Sequence, residues 1–261
     1  MVAVSLTAMT EFQTYLIAIA GATIAGGINT LAGNGSAITL TILTELLGLP
    51  PNVANGTNRI GVFTQTSVAA GVFYKEGKLN LTHVKKYFWP IFIGALAGGI
   101  LALNVSNEQF RAVFRFMMVF MLIAVLVKPK RWLRQTDSTY KPSMFIWIPA
   151  LFALGFYGGF IQMGMGVFFL IIMVLGMRVN IIESNAFKGL VIGAYTLVVI
   201  GMFHYQGLID WKIGGIMAIG QTIGGWLTAR FASKSKWADQ VAYYVLIVVL
   251  IAAIIHMFFN Q

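Results

Sequence analysis

The chain has 261 residues, of which 58% are apolar and only 10% are charged. A soluble domain carries about 25% charged residues, so this composition excludes a soluble globular fold and indicates a protein whose apolar surface faces lipid. The length allows about ten transmembrane helices of about 20 residues each, with no room for a soluble catalytic domain. Cysteine is absent, which excludes disulfides, thiolate nucleophiles and cysteine-based metal sites.

Hydrophobic runs between charged and turn residues predict ten helical segments in two sets of five. The segments lie at 12–32, 35–48, 54–74, 84–104 and 109–127, and then at 144–162, 165–177, 183–204, 212–232 and 240–259. The second segment of each set measures about 21 Å at 1.5 Å per residue, which is less than the roughly 30 Å of the hydrocarbon core. We therefore expect an all-α polytopic membrane protein with two short, broken helices at the midplane.

The two sets resemble each other, which predicts an internal duplication. The matched positions are Gly33/Gly164, Gly35/Gly166, Gly48/Gly176, Arg59/Lys188, Gly77/Gly207, Gly94/Gly220 and Gly98/Gly224. Because five crossings are an odd number, the second set must lie upside down, as in transporters built from inverted repeats. The predicted organisation is a first transmembrane repeat at 1–128, a cytoplasmic linker at 129–142 and a second transmembrane repeat at 143–261.

The basic residues predict the orientation in the membrane. With the N-terminus outside and ten crossings, the inside loops hold thirteen of the 18 basic residues. These are Lys75, Lys78, Lys85, Lys86, Lys128, Lys130, Arg131, Arg134, Lys141, Arg178, Arg230, Lys234 and Lys236. Cytoplasmic loops of membrane proteins are rich in Lys and Arg, so we expect a multi-pass protein of the cell (inner) membrane with both termini outside. The formal net charge of +10 therefore has its origin in these loops, and no nucleic-acid partner is expected.

Arg59 and Lys188 are the strongest chemical signal, because both fall inside hydrophobic segments. A cation within a bilayer costs several kcal/mol and usually faces a cavity or a partner, so two cations without matched carboxylates favour a bound anion. Two alternatives stay open at this point. Both side chains can extend to opposite interfaces from helix ends, or Lys188 can pair with Glu183.

Polar residues share a helix face with each cation. Around Arg59 these are Asn55, Asn58, Gln65 and Thr66, and around Lys188 a rougher set comprises Ser184, Asn185, Tyr195 and Thr196. Polar groups in a bilayer need partners, so these residues either join neighbouring helices or line a solvated path. Their clustering around a cation favours the path.

Two glycine-rich segments, at 29–36 and 158–166, are too polar and too rich in glycine for continuous helices. A break in a helix exposes backbone N–H groups and a helix N-terminus, both of which attract anions. We therefore assign substrate binding to Asn34, Gly35, Ser36, Gln162, Met165 and Gly166 together with Asn58, Arg59, Gln65, Asn185 and Lys188. The glycines at 94, 98, 99, 220, 224 and 225 are interpreted instead as close helix packing through small residues.

Glu45 and Glu183 are candidate ligands for a coupling proton or cation, although their positions near helix ends are equally compatible with simple exposure. Neither a metal-ligand spacing nor a nucleotide-binding loop nor a catalytic triad occurs in the sequence. No cofactor is therefore expected, and the oligomeric state stays open.

The ordered motifs resemble those of the sulfite exporter TauE/SafE family over nearly the whole chain. The motifs are Gly26-Gly27, Gly33-Asn34-Gly35-Ser36, Leu47-Gly48-Leu49-Pro50-Pro51, Ala54-Asn55-Gly56-Thr57-Asn58-Arg59, the segment 158–166, Leu175-Gly176 and Asn185. The resemblance implies a permease of duplicated units that moves sulfite or an organosulfur anion. With no ATP-binding motif, we expect a secondary transporter working by alternating access. A passive anion channel and, less favoured, a membrane-embedded enzyme are the alternatives.

Overall fold

The computed structural model of the protein describes residues 10–79, 81–103, 132–137, 139–140, 142–160 and 162–259. The predicted fifth segment at 109–127, residue 128 and residues 129–131, 138 and 141 of the predicted linker lie outside the described residues. All statements below about what the structure contains refer to the described part of the chain.

Helices form the regular structure of this part of the chain, and it contains no strands. They are α1 (Glu11–Leu31), α2 (Gly35–Thr41), α3 (Pro51–Lys75), α4 (Leu81–Ala102), α5 (Met144–Phe160), α6 (Met165–Leu170), α7 (Ile181–Tyr205), α8 (Trp211–Lys234) and α9 (Ala238–Phe259). The short helices α2 and α6 continue directly into π-helical turns at Ile42–Leu46 and Ile171–Gly176. Nine of the ten predicted segments are confirmed as helices.

Short local signals set several helix ends. The hydroxyl of Thr10 accepts a hydrogen bond from the backbone N–H of Gln13, which completes a capping box at the start of α1. Pro51 occupies the first turn of α3, where its missing N–H would have no helical partner in any case. Asn180 and Asp210 cap α7 and α8 through their side-chain oxygens. These caps fix where the long helices begin, and therefore the depth of the side chains they carry.

The loops of the two sets repeat at a constant spacing. Gly48 (φ +67°) and Arg178 (φ +58°) adopt the left-handed conformation 130 positions apart, and Gly77 (φ +68°) and Gly207 (φ +67°) do the same. The intervening helices α3 and α7 each have 25 residues. The correspondence between the two sets is therefore 130 positions over this whole stretch.

This spacing agrees with the predicted match of Gly77 with Gly207 and differs from two others. Gly48 corresponds to Arg178 rather than to Gly176, because these two residues share the left-handed turn. Lys188 corresponds to Asn58 rather than to Arg59, so the two cations are offset by one residue. The error arose because glycine is abundant in the chain, which lets several nearby registers look alike.

The two sets are interlocked by close helix pairs. Helix α1 packs along α8, α4 packs along α5, and α3 contacts both α7 and α8. A Cβ on Gly224 would collide with the carbonyl of Thr23, and one on Gly98 with the carbonyl of Phe156. The glycines in these pairs therefore serve close packing, as predicted. Gly94 and Gly220 lie similarly close to the carbonyls of Phe152 and Ile19, so the predicted pairs Gly94/Gly220 and Gly98/Gly224 have like surroundings.

Many large apolar side chains lie on the surface, and a set of polar side chains is buried among the apolar core, as suits a protein surrounded by lipid. Large apolar side chains such as Phe12, Ile24, Trp89 and Phe145 are more than half exposed, while Asn, Gln, Thr, Arg and Lys side chains are buried. Helices α1 and α7 are long and apolar enough to cross a membrane, and shorter apolar helices run over Gly35–Leu46, Tyr87–Ala102, Met144–Phe160, Met165–Gly176 and Ala238–Val248. The exposed apolar belt is what lipid would cover.

Candidate functional site

The two glycine-rich breaks lie against each other in the middle of the fold. Helix α1 ends at Leu31 and α2 begins at Gly35, while α5 ends at Phe160 and α6 begins at Met165. A Cβ placed on Gly33 would lie 2.6 Å from the Cα of Gly166, so only glycine fits there. The breaks predicted from sequence are confirmed. They meet backbone to backbone, with no space for an ion between Gly33 and Gly166.

Lys188 caps the end of α1. Its ammonium donates hydrogen bonds to the carbonyls of Asn29 (2.8 Å) and Thr30 (3.1 Å) and to the side-chain oxygen of Asn185. The amide of Asn185 donates in turn to the carbonyl of Leu31 (3.0 Å). The last carbonyls of a helix lack intrahelical partners and carry partial negative charge. Lys188 and Asn185 donate to three of these carbonyls. All three N–H donors of the Lys188 ammonium have an acceptor.

Arg59 caps the end of α5, but through one hydrogen bond. Its Nη2 donates to the carbonyl of Gly159 at 2.8 Å, and its guanidinium carbon lies 4.8 Å from the ring centre of Phe203. The side chain is completely buried, yet its Nε and Nη1 have no hydrogen-bond partner. Each cation therefore contacts the first helix of the other set, but only Arg59 retains unused donors.

These contacts exclude both alternatives for the cations. Arg59 and Lys188 are 0% and 2% exposed, so neither side chain extends to an interface. Glu183 accepts hydrogen bonds from Thr136 (2.7 Å) and Asn180 (3.3 Å), so Lys188 is not its partner. Among the buried polar and charged residues of the described chain there is no Asp or Glu.

Gln65 and Asn58 belong to a polar network on the side of α1 and α2. Gln65 accepts from the amide of Asn29 (2.7 Å) and donates to the hydroxyl of Thr30 (2.8 Å). Asn58 accepts from Thr39 (2.7 Å) and more weakly from Gln221 (3.3 Å). Gln65 uses both ends of its amide in the network, whereas Asn58 keeps one unpartnered amide nitrogen.

The break between α5 and α6 is different, because its polar groups lack partners. Gln162 is 5% exposed and adopts φ +61°, and neither its amide oxygen nor its amide nitrogen is hydrogen-bonded. The hydroxyl of the fully buried Tyr195 also has no partner. A Cβ on Gly158 would lie 2.8 Å from that hydroxyl. Unsatisfied buried polar groups are rare in proteins and call for an explanation, such as an ion.

The other predicted binding residues line the breaks as buried, tightly packed groups. Asn34 and Ser36 are 0% and 4% exposed, and Met165 is completely buried. A Cβ on Gly35 would collide with the carbonyl of Ala25. All eleven predicted residues thus lie in or beside the paired breaks.

Sequence reasoning undervalued Tyr195 and omitted Thr39 and Gln221 from the site. An aromatic residue in an apolar helix is first interpreted as part of the packed core. The available signal was its spacing, because Tyr195 lies two helical turns beyond Lys188 and therefore on the same face. Thr39 and Gln221 contact Asn58 from elements distant in sequence, and helical spacing cannot predict contacts between such elements.

A separate open groove of about 1010 Å³ lies between the linker and the start of α5. Its lining includes Arg134, Tyr140, Trp147 and Arg178, and none of the eleven predicted site residues. The described part of the chain holds no group of three or more His, Cys, Asp or Glu side chains that could bind a metal ion.

Comparisons with known proteins agree with this architecture. The sequence profile of the family described as sulfite exporter TauE/SafE matches residues 18–257. A probable membrane transporter protein, ORF9, from Sinorhizobium is 27% identical over 88% of this chain and 87% of its own length. Relatives with the same description in Haemophilus influenzae and Escherichia coli are 26% and 25% identical, covering 82% and 80% of this chain and 83% and 77% of their own lengths. No solved structure gives a significant match.

Proposed function

Because the chain belongs to the sulfite exporter TauE/SafE family, we propose that it is a secondary transporter of a small anion, with sulfite or an organosulfur anion as substrate. The family and the relatives make the chain a membrane-embedded transporter and not an enzyme. We propose in addition the substrate, the mechanism, the inner-membrane location and the external position of both termini.

The pair of buried cations is the observation that carries the choice of an anion. Arg59 and Lys188 lie within the helix bundle, and no buried carboxylate accompanies them in the described chain. A buried charge is costly unless it is paired. The helix-end carbonyls compensate Lys188 fully but Arg59 only in part. A bound anion would supply the missing compensation.

Alternating access between the two sets is supported by how they contact each other. Each break belongs to one set and is capped by a cation from the other, so a relative movement of the sets would change both breaks together. The repetition of loops and helix lengths at 130 positions supports a duplication, and an inverted second copy is the arrangement that an odd number of crossings demands.

A carrier is favoured over a passive channel by the contact of Gly33 with Gly166. This contact closes the direct path between the breaks. Transport then requires the breaks to separate, driven by an ion gradient or by the gradient of the substrate itself. Glu45 is exposed and Glu183 is engaged at the start of α7, so a coupling proton or cation would act away from the two buried cations.

Flux of labelled sulfite into and out of proteoliposomes tests the proposal. We expect saturable flux and exchange for the wild type, and a loss of at least tenfold for Arg59→Ala/Lys188→Ala. The control is Arg230→Ala/Lys212→Ala, which removes two cations that are exposed and should keep the wild-type rate. Equal flux in the two double variants would overturn the assigned site, and flux without saturation would favour the channel.

A further inference from the structure

The two buried cations differ in the number of N–H donors that remain available to a ligand. Lys188 has three N–H donors and three acceptors within reach. Arg59 has five N–H donors, one recorded acceptor, and no partner at Nε or Nη1. An anion at Lys188 would have to displace carbonyls that need their donor, whereas an anion at Arg59 would fill vacant positions.

Further unpartnered groups lie around Arg59. The hydroxyl of Tyr195 lies next to Gly158, the neighbour of the Gly159 whose carbonyl accepts a hydrogen bond from Arg59. Gln162 follows in the same break with both ends of its amide free. A cation and a hydroxyl, both buried, thus lie beside the end of α5, and the buried amide of Gln162 follows two residues beyond that end.

Resting on the proposed function, we propose that the substrate site is asymmetric. A singly charged oxoanion binds at the second break through Arg59, Tyr195 and Gln162, and Lys188 serves to hold the end of α1. The hydroxyl and the guanidinium donate to the anion's oxygens. The oxygen of the Gln162 amide accepts from a protonated oxoanion, while its nitrogen donates to an unprotonated one.

The charge of the ligand follows from the same comparison of unused N–H donors. Only Arg59 has unused donors, and no other buried cation accompanies the two in the described chain. Arg59 is the one cation that contacts the proposed anion, so a monoanion matches its charge, whereas the second charge of a dianion would face no cation with a free donor, and a buried charge without a partner is costly. Hydrogensulfite and simple sulfonates fit this description better than sulfate does.

Thermal unfolding of the purified full chain in detergent, with and without anion, separates the roles of the residues. The probes are hydrogensulfite, methanesulfonate and, at equal ionic strength, sulfate. We expect the two monoanions to raise the melting temperature in a saturable way and sulfate to do so much less. Sulfate binding as tightly as the monoanions would overturn the assignment of charge.

Tyr195→Phe gives the sharpest result, because its two expected effects have opposite signs. Removing a buried hydroxyl that has no partner should leave the ligand-free protein as stable as the wild type or more stable. Removing a donor to a bound anion should weaken binding about tenfold. The contrast is Tyr157→Phe, whose hydroxyl donates to the carbonyl of Met163 at 2.9 Å, and which should lower the stability of the ligand-free protein.

Lys188→Met should lower the stability but, where it folds, should change the affinity less than threefold. Arg59→Lys should weaken binding at least tenfold. Gly158→Ala, which places a methyl group 2.8 Å from the Tyr195 hydroxyl and 2.6 Å from the Cγ of Met165, should do the same without removing any polar group. Unchanged affinity in both Tyr195→Phe and Gly158→Ala would overturn the asymmetric site even if Lys188→Met does not fold. No stabilisation of the wild type by any anion would instead count against the proposed function.

Discussion

Gly33 and Gly166, one from each glycine-rich break, lie so close that a Cβ on Gly166 would stand 2.5 Å from the Cα of Gly33. Contacts this short leave no freedom for a side chain on either residue. The contact between the two breaks therefore depends on two glycines 133 positions apart.

Replacing either glycine by alanine should separate the breaks and slow transport at least tenfold. Gly33→Ala adds a second cost of about 1–2 kcal/mol, because its φ of +80° is unfavourable for any residue with a Cβ. Proteoliposome flux and thermal unfolding measure the two effects.

Gly77→Ala is the matched control for backbone strain. Gly77 has φ +68°, but nothing lies within 4 Å of an added Cβ. It should lose about 1–2 kcal/mol of stability and keep its transport rate. If Gly77→Ala slows transport as much as Gly33→Ala does, strain rather than contact between the breaks is responsible.

The helix pairs α1–α8 and α4–α5 predict a second set of effects. Gly224→Ala and Gly98→Ala would drive a methyl group into the carbonyls of Thr23 and Phe156, and each should cost about 1–3 kcal/mol. In contrast, Gly201→Ala and Gly215→Ala meet nothing within 4 Å and should gain up to about 1 kcal/mol, because alanine is the better helix former. Thermal unfolding in detergent would show opposite shifts for the two pairs. Shifts of one sign in all four variants would contradict the packing role.

The sequence was sufficient to locate the breaks, the buried cations and the close-packed glycines, because each has a local signal. A charge within an apolar run or a cluster of glycines can be recognised without knowing the neighbours. It was insufficient to predict the hydrogen-bond partners of the two cations. Lys188 bonds Asn29 across 159 positions, and Arg59 bonds Gly159 across 100 positions. Sequence reasoning also missed the register between the two sets, by one residue at the buried cations and by two at Gly48, and the π-helical turns after α2 and α6. These depend on loop geometry and packing rather than on residue pattern.

Gln65 should stabilise the end of α1 through both ends of its amide. It accepts from Asn29 and donates to Thr30 at 2.7 and 2.8 Å, and it is 1% exposed. Gln65→Met keeps the volume but leaves a buried donor on Asn29 unsatisfied, so we expect a loss of about 1–3 kcal/mol. Thr222→Val, which removes a partly exposed hydrogen bond to Thr64, is the milder comparison and should cost less than about 1 kcal/mol. Equal losses would show that burial of the Gln65 amide adds nothing.

The linker should confer a pH dependence on stability through Asp137. The hydroxyl of Thr139 and, after it, the guanidinium of Arg178 hold the pKa of the Asp137 carboxyl below its usual range. A carboxyl whose pKa is lower in the folded state contributes stability above the unfolded value of about 3.9, and that contribution disappears as the pH falls through the folded pKa. Wild type should therefore exceed Asp137→Asn in melting temperature by a constant amount above about pH 5, and the difference should shrink below about pH 4. Taking the difference between the two proteins cancels the titration of the other carboxyl groups, which they share. A difference that stays the same from neutral to strongly acidic pH would mean that the charge of Asp137 contributes nothing, and that the linker is held by its other contacts, such as the bond from the Asp137 N–H to the carbonyl of Arg178 at 3.0 Å.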